Sequence, residues 1–371
     1  MATAQDKLIE LYEQAQQRLV EIITRKVKRG STAVYERQIL KQIDKEIKKL
    51  KKATPELAQQ LVLAGYKTGL ESAVDDLLRQ GIEIPSAYNM MSRLHKDAIN
   101  LIVNNMVDDL TKAVNLVGRR IEDTIRQAGL DAAAGKFAAG YTIKDMQRDL
   151  IRRLFGTPDV RQPDGRIGVK YRNGKVVSLD TYARMVSRST TAEAQNKSKF
   201  VQADAWGYDL VQCSKHYPTC EVCAKYQDRV YALTREAANG KYKGPDGKPI
   251  YFPYLYDTAL VSGYETIHPN CRHRFVIFVV SAYTKEELVD IARRSSQPFD
   301  DLRSDEERKA YAKEQAVNRA RSRDRREWRQ LRAALPDDAP ATLSGYRSMR
   351  RAKSKRYREL KAKYKALSSL N

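Results

Sequence analysis

Apolar residues recur at three- and four-residue steps through the first 150 positions of the chain. Leu8, Ile9, Leu11, Tyr12, Ala15, Leu19, Ile22 and Ile23 trace one face of a helix that Gly30 would stop. Ile39, Ile43, Ile47 and Leu50 predict a second helix from about Thr32, with Lys41, Lys45, Lys48 and Lys49 left to solvent. Thr54-Pro55 reads as an N-cap followed by the one helical position that tolerates proline, so a new helix is expected from Leu57 to Leu78. The next begins near Ser86 and can run past Met106, Leu110 and Val114 to about Gln127, a length of about 60 Å. His95 inside it reads as a packing or surface histidine. Thr142 and Asp145 open one more helix, to Leu154.

The pattern then changes. Gly156, Pro158, Pro163, Gly165 and Gly168 mark a loop and a domain boundary. Two short alternating runs, Ile167 to Tyr171 and Lys175 to Leu179, flank Asn173-Gly174, the dipeptide that a type I′ hairpin prefers. Ser178 or Asp180 can cap the helix that follows, Thr181 to about Trp206. Its Arg184, Arg188, Ser189, Thr190, Thr191, Glu193 and Asn196 suit either a polar network under a neighbouring sheet or a solvated face.

Tyr208 to Cys213 and Arg229 to Leu233 are strand-like, and a Gly/Lys/Pro loop from Asn239 to Pro249 suggests an exposed hairpin. The run from Arg274 to Tyr283 predicts a central strand buried on both faces. Thr284 caps a short helix to Arg294, and 296–303 reads as a linker. Ser304-Asp305-Glu306-Glu307 opens a long polar helix to about Leu335. After a break from Pro336 to Pro340, a single basic helix is expected from about Ser344 to Leu367. The expectation is an α+β fold: a helical region over 1–155, a small α+β core with antiparallel hairpins over 156–295, and a helical basic tail over 296–371.

Charge sharpens the reading of that tail. The 371 residues carry 68 Lys+Arg against 46 Asp+Glu, a formal charge of +22. Residues 301–371 hold 21 of the cations and 10 of the carboxylates, and so half of the excess. Such a segment suits a polyanion, and nucleic acid is the first expectation. The candidate contacts are Arg347, Arg350, Arg351, Lys353, Lys355, Arg356, Arg358, Lys361, Lys363 and Lys365. The longest apolar run, Phe275 to Val280, is far short of a membrane span, and the N-terminus lacks the order of a secretory signal. An intracellular, reducing setting without a membrane partner is therefore expected.

All four cysteines and three of the four histidines fall between Gln212 and Arg274. Cys220-x2-Cys223 and His268-x2-Cys271 are two knuckles in which a tight turn can aim both side chains at one tetrahedral centre. Three thiolates and an imidazole would close the coordination of a structural zinc, with Cys213, His216 and His273 as possible alternates. In a reducing compartment this cluster favours metal over disulfides. A catalytic zinc would need an open position and a base such as Glu221 or Glu265. No H-E-x-x-H and no deaminase-type H-x-E motif occurs, so an enzyme is not expected. The rival reading is a metal-dependent nuclease or transferase acting on nucleic acid.

The helix from Arg184 to Asn196, Trp206-Gly207-Tyr208, the Cys220/Cys223 knuckle with Asp228-Arg229-Val230, and Ile267-His268-Pro269-Asn270-Cys271-Arg272 together resemble the core of phage Mu F-like head morphogenesis proteins. That resemblance covers about 120 residues, and the whole chain is most similar in plan to the minor capsid protein 2 family of tailed phages. Mu F-like knuckles commonly end Cys-Arg-Cys, whereas this chain has Cys271-Arg272-His273. The resemblance implies a low-copy internal head protein, made in the host cytoplasm and packaged at the portal vertex of the virion. Its implied partners are the portal protein, other head proteins and double-stranded DNA, with no small-molecule substrate.

Overall fold

The heptad-like spacing of the N-terminal third folds into helices of unequal length. The computed structural model of the chain describes residues 3–24, 31–85, 87–90, 92–135, 142–155, 168–172, 174, 176–258, 260 and 268–369. Helices α1 (Ala4–Thr24), α2 (Thr32–Arg79), α3 (Arg93–Gly135) and α4 (Ile143–Phe155) come first. Thr142 caps α4 reciprocally with Asp145. Gly30, Ser86, the boundary loop 156–167, Asn173, Lys175, Glu265 and Ile267 lie outside the described residues.

The break expected at Thr54-Pro55 does not occur: α2 runs for 48 residues with Pro55 inside it. Thr54 is buried, and its hydroxyl donates to the Leu50 carbonyl at 2.7 Å and pairs with Tyr12 Oη at 2.9 Å. A threonine hydroxyl turned back onto its own helix cannot serve as an N-cap.

After α4 the chain forms the hairpin β1 (Val169–Lys170) and β2 (Val176–Val177), antiparallel in the register Val169↔Val177, with Gly174 at φ +78 in the turn. Helix α5 (Leu179–Ala205) leads into β3 (Leu210–Cys213), α6 (Glu221–Ala224), β4 (Val230–Ala232) and α7 (Arg235–Ala238). The small antiparallel hairpin β5 (Tyr242–Lys243) and β6 (Pro249–Ile250) follows, then β7 (Phe275–Ile277) and α8 (Lys285–Ser295), which Thr284 and Glu287 cap as a box. The fold is α+β and mainly helical. No helix among the described residues is long and apolar enough to cross a membrane.

The chain packs as two compact units, each assembled from three stretches. One comprises Met1–Leu8, Pro55–Asp109 and Arg184–Lys313; the other comprises Ile9–Thr54, Leu110–Ala183 and Glu314–Asn371. Pro55 therefore marks where α2 passes from one unit to the other, although the helix continues.

In the first unit the sheet order is β4-β3-β7, all antiparallel. The run from Arg274 is thus not a central strand. It is a three-residue edge strand that ends in a 3-10 turn at Val280–Ala282. Its inner edge meets β3: Arg274 accepts from Ser214 N, and Phe278 N donates to Leu210. Its outer edge meets side chains instead of a fourth strand. Asn196 accepts from Phe275 N (3.3 Å), Asp76 from Ile277 N (3.1 Å) and Gln80 from Val279 N (3.0 Å). Lys199 donates to the Phe275 carbonyl (2.9 Å) and Gln80 to that of Ile277 (2.7 Å). These helix residues satisfy backbone groups that an open edge would leave as a template for another chain. They also explain why α5 carries buried polar residues. His95 is a packing residue, 3% exposed, between Tyr66 Oη and Gln202.

In the second unit the basic tail is three helices: α9 (Asp305–Ala334, which enters this unit at Glu314), α10 (Leu343–Arg351) and α11 (Lys355–Ser369). The single basic helix expected from Ser344 breaks at Ala352–Ser354, where Lys353 takes φ +47. Ser354 Oγ then accepts from Tyr357 N at the start of α11. The break lets Tyr346, Leu360 and Tyr364 close on Leu331 in one apolar cluster.

Candidate metal centre

Antiparallel pairing brings the two knuckles to one end of the sheet. Cys213, the last residue of β3, pairs with Phe275, the first of β7, so the chain leaving β3 and the chain entering β7 meet there. Cys220 is the N-cap of α6, and its Sγ accepts from Cys223 N at 3.3 Å, which turns both thiols to the same side. In the second knuckle Cys271 N donates to the His268 carbonyl at 3.0 Å, and Asn270 takes the left-handed conformation, φ +63, that closes the turn. Ser189 of α5 fixes Asn270 N at 3.2 Å.

The donor atoms converge. His268 Nε2 lies 3.1 Å from both Cys220 Sγ and Cys223 Sγ; Cys223 Sγ lies 3.6 Å from Cys271 Sγ; Cys271 Sγ lies 3.5 Å from His273 Nδ1. In a tetrahedral zinc site, bonds of about 2.3 Å to sulfur and about 2.0 Å to nitrogen put two ligand sulfurs about 3.8 Å apart, and a sulfur and a nitrogen about 3.5 Å apart. The observed separations match the first and fall on or somewhat inside the second. Two triads, Cys220/Cys223/His268 and Cys223/Cys271/His273, share Cys223 and could hold a metal ion. Cys213 and His216 belong to neither: the buried Cys213 thiol faces the Ser214 carbonyl, and His216 Nε2 bonds the Arg272 carbonyl at 2.7 Å.

Both triad histidines turn one ring nitrogen toward the thiols and bond through the other. His268 Nδ1 must donate to the Pro269 carbonyl (2.8 Å), which leaves Nε2 to the sulfurs. Gln227 Oε1 accepts from His216 N, so it is an acceptor for His273 Nε2 as well (3.2 Å), and His273 Nδ1 is left to face Cys271. The thiols are short of a cation. Cys223, hydrogen-bonded to both neighbours, is driven up and keeps its proton, while its contacts hold Cys220 down at about 4 and Cys271 down at about 3. The Cys220 contact pushes His268 up to about 9. Protons therefore do in the free cluster what a metal ion would do in a loaded one.

The segment 296–303 fastens this end of the unit. Arg229 donates to the carbonyls of Ser295, Gln297 and Pro298, and its guanidinium lies over Phe299 at 4.5 Å. Arg303 donates to the Thr219 carbonyl (3.1 Å), and Thr219 N donates to Glu307 (3.2 Å). The stretch read as a linker is thus tied to the residue before Cys220, a role that isolated arginines in the sequence did not signal.

A family model described as phage minor capsid protein 2 matches residues 1–362. The chain belongs to that family. No curated protein and no solved structure matches it. This minor capsid protein carries its ten candidate nucleic-acid residues in the second unit, where they divide into two sets. Arg347 and Arg350 pair with Asp324, Lys361 with Glu327 and Lys363 with Asp338. Arg351, Lys353, Lys355, Arg356, Arg358 and Lys365 are exposed; Lys355 pairs within its helix, with Glu359 at 3.9 Å. As a phage minor capsid protein the chain is a component of the virion.

Proposed function

We propose that this minor capsid protein works inside the head at the portal vertex, that its Cys/His centre holds one structural zinc ion, and that its basic helical unit contacts packaged double-stranded DNA. The observation that carries the reading is family membership across nearly the whole chain. Zinc is favoured because every converging donor is sulfur or imidazole, the set that hard oxygen-seeking cations do not prefer. A structural role is favoured because Cys223, Cys271 and His273 are 2%, 7% and 5% exposed, and because the two triads, sharing Cys223, offer between them more protein donors than the four that would close a tetrahedral shell. The ion would then join the end of β3 to the start of β7, and its binding energy would add to folding energy. DNA contact is favoured by the +11 excess after residue 300.

The direct test is quantitative mass spectrometry and localisation in purified heads. The expected result is a few copies per head, clustered at one vertex and protected from added protease until the head is opened. Copies in proportion to the major capsid subunit, or digestion in intact heads, would overturn the internal portal reading.

A further inference from the structure

Helix α9 has three sides from Glu314 onward, and two of them are spent. Asp324, Glu327 and Leu331 face α10 and α11 through ion pairs and the apolar cluster. Arg329 donates to Ser178 and pairs with Asp180, and Arg332 lies 3.9 Å from Glu21. The third side carries Arg319, Arg323 and Arg326, spaced by four and three residues and therefore aligned along one face. All three are exposed, and none pairs with any described residue. Like charges stacked at this spacing repel one another by a few tenths of a kcal/mol per pair, and α9's nearby carboxylates are committed elsewhere.

We propose that this stripe is the principal phosphate-binding surface of the protein for duplex DNA, ahead of the cations of α10 and α11. The inference rests on the DNA reading above. Arg319 to Arg326 spans about 10 Å of a straight helix, over which one DNA strand presents about three phosphates. Guanidinium groups pair with phosphate oxygens in forked geometry. Ser322 lies between the arginines on this face, Ala316 and Gln330 flank them, and no large apolar side chain interrupts the stripe. A protein partner would be expected to find an apolar or aromatic anchor at the centre of its contact. Arg347, Arg350, Lys361 and Lys363 meanwhile have carboxylate partners that DNA would have to displace, and the exposed Arg351, Lys353, Lys355, Arg356, Arg358 and Lys365 are split by the break between α10 and α11 at Ala352–Ser354, with Lys355 paired to Glu359.

The test compares two full-length variants of equal charge change, Arg319/Arg323/Arg326→Gln and Arg351/Lys355/Arg358→Gln. Binding to a random-sequence duplex is followed by fluorescence anisotropy over a potassium chloride series, and thermal melts verify that both fold. The α9 variant should lose about 2.7 from the slope of log K against log salt and bind at least tenfold more weakly, at about 0.9 per lost phosphate contact. The tail variant should change affinity by less than about threefold. Equal losses in the two variants, or the larger loss in the tail variant, would overturn the stripe's priority and leave the DNA reading intact. Wild-type binding to polyglutamate as tight as to duplex would overturn DNA as the partner of the stripe. Failure of the wild type to bind duplex at low salt would remove the DNA reading itself, and the stripe with it.

Discussion

Replacing Lys199 by methionine removes one half of the buried pair that closes the edge of β7. Lys199 and Asp76 lie 2.7 Å apart, with side chains 5% and 4% exposed. Burial pushes the Asp76 carboxyl above its ordinary value and the Lys199 ammonium below its own, so on each side desolvation outweighs the partner. The pair is therefore costly to form and costlier to break. Lys199→Met strands the Asp76 carboxylate and leaves the Phe275 carbonyl without its donor. Breaking such a pair costs about 3–5 kcal/mol. The carboxyl can escape by taking a proton, which at pH 7 costs at most about 1.36 kcal/mol per unit above 3.8, or about 4 kcal/mol.

That escape gives the variant a pH signature. A carboxyl whose folded pKa is raised contributes stability below its unfolded value and loses it as pH rises through the folded one. The gap between Lys199→Met and wild type should therefore narrow as pH falls from 7 to 5, because the stranded Asp76 carboxyl, without its Lys199 partner, is raised further than in wild type. Adding Asp76→Asn should recover part of the loss at pH 7, because the amide oxygen still accepts from Ile277 N. Urea titration in a Trp328→Phe background reports on the first unit alone through Trp206, since the chain has two tryptophans. A pH-independent loss, a loss under about 1 kcal/mol, or strict additivity in the double variant would refute the edge-closing role of the pair.

Three further outcomes are expected. A Cβ at Gly69 would overlap Ser198 Oγ and the Gln195 carbonyl, whereas one at Gly65 would meet Ala194 and Thr191 at 3.3 Å; Gly69→Ala should therefore lower thermal stability by about 1–3 kcal/mol and by more than Gly65→Ala, as read by calorimetry. Burial raises the Asp180 carboxyl, but the Arg329 guanidinium overcomes that and leaves it below 3.8; its contribution is present above that value and lost as pH falls through the folded one, so acid unfolding of the second unit below about pH 4 should flatten in Asp180→Asn. Arg229→Ala frees three carbonyls in 295–298, and limited proteolysis should then cut that stretch at least several-fold faster than in wild type.

Local chemistry was legible where it is sufficient by itself. Thr284 with Glu287, Thr142 with Asp145 and Gly174 in the β1–β2 turn act through neighbours a few residues away, and each occurs where the sequence predicts it. The elements that differed are those decided by distant partners. Thr54-Pro55 carries a local start signal, but Tyr12 Oη and the Leu50 carbonyl take the threonine hydroxyl that a cap would need. The Phe275 run has the composition of a central strand, yet Asp76, Gln80, Asn196 and Lys199 occupy the edge where another strand would pair. The α10–α11 break has no glycine or proline to announce it, and the Ser354 hydroxyl that accepts from Tyr357 N reads in the sequence as one more residue of a continuous helix. In the metal centre the two knuckle spacings pointed to convergence. The place of His273 depends on Gln227, 46 residues away, and no spacing rule reaches that far.

The proposed zinc ion would clamp the two knuckles at the end of the sheet. Metal analysis of the purified full-length protein, followed by a thermal melt with and without a chelator, tests it most directly. The expected result is one zinc per chain, held through Cys220, Cys223, Cys271 and histidine, with loss of the ion unfolding residues 200–280 and lowering the first unit's melting temperature by ten degrees or more, roughly the scale of a several-kcal/mol contribution. Protein free of metal with an unchanged melt, or metal removed reversibly while the fold stays intact, would contradict it.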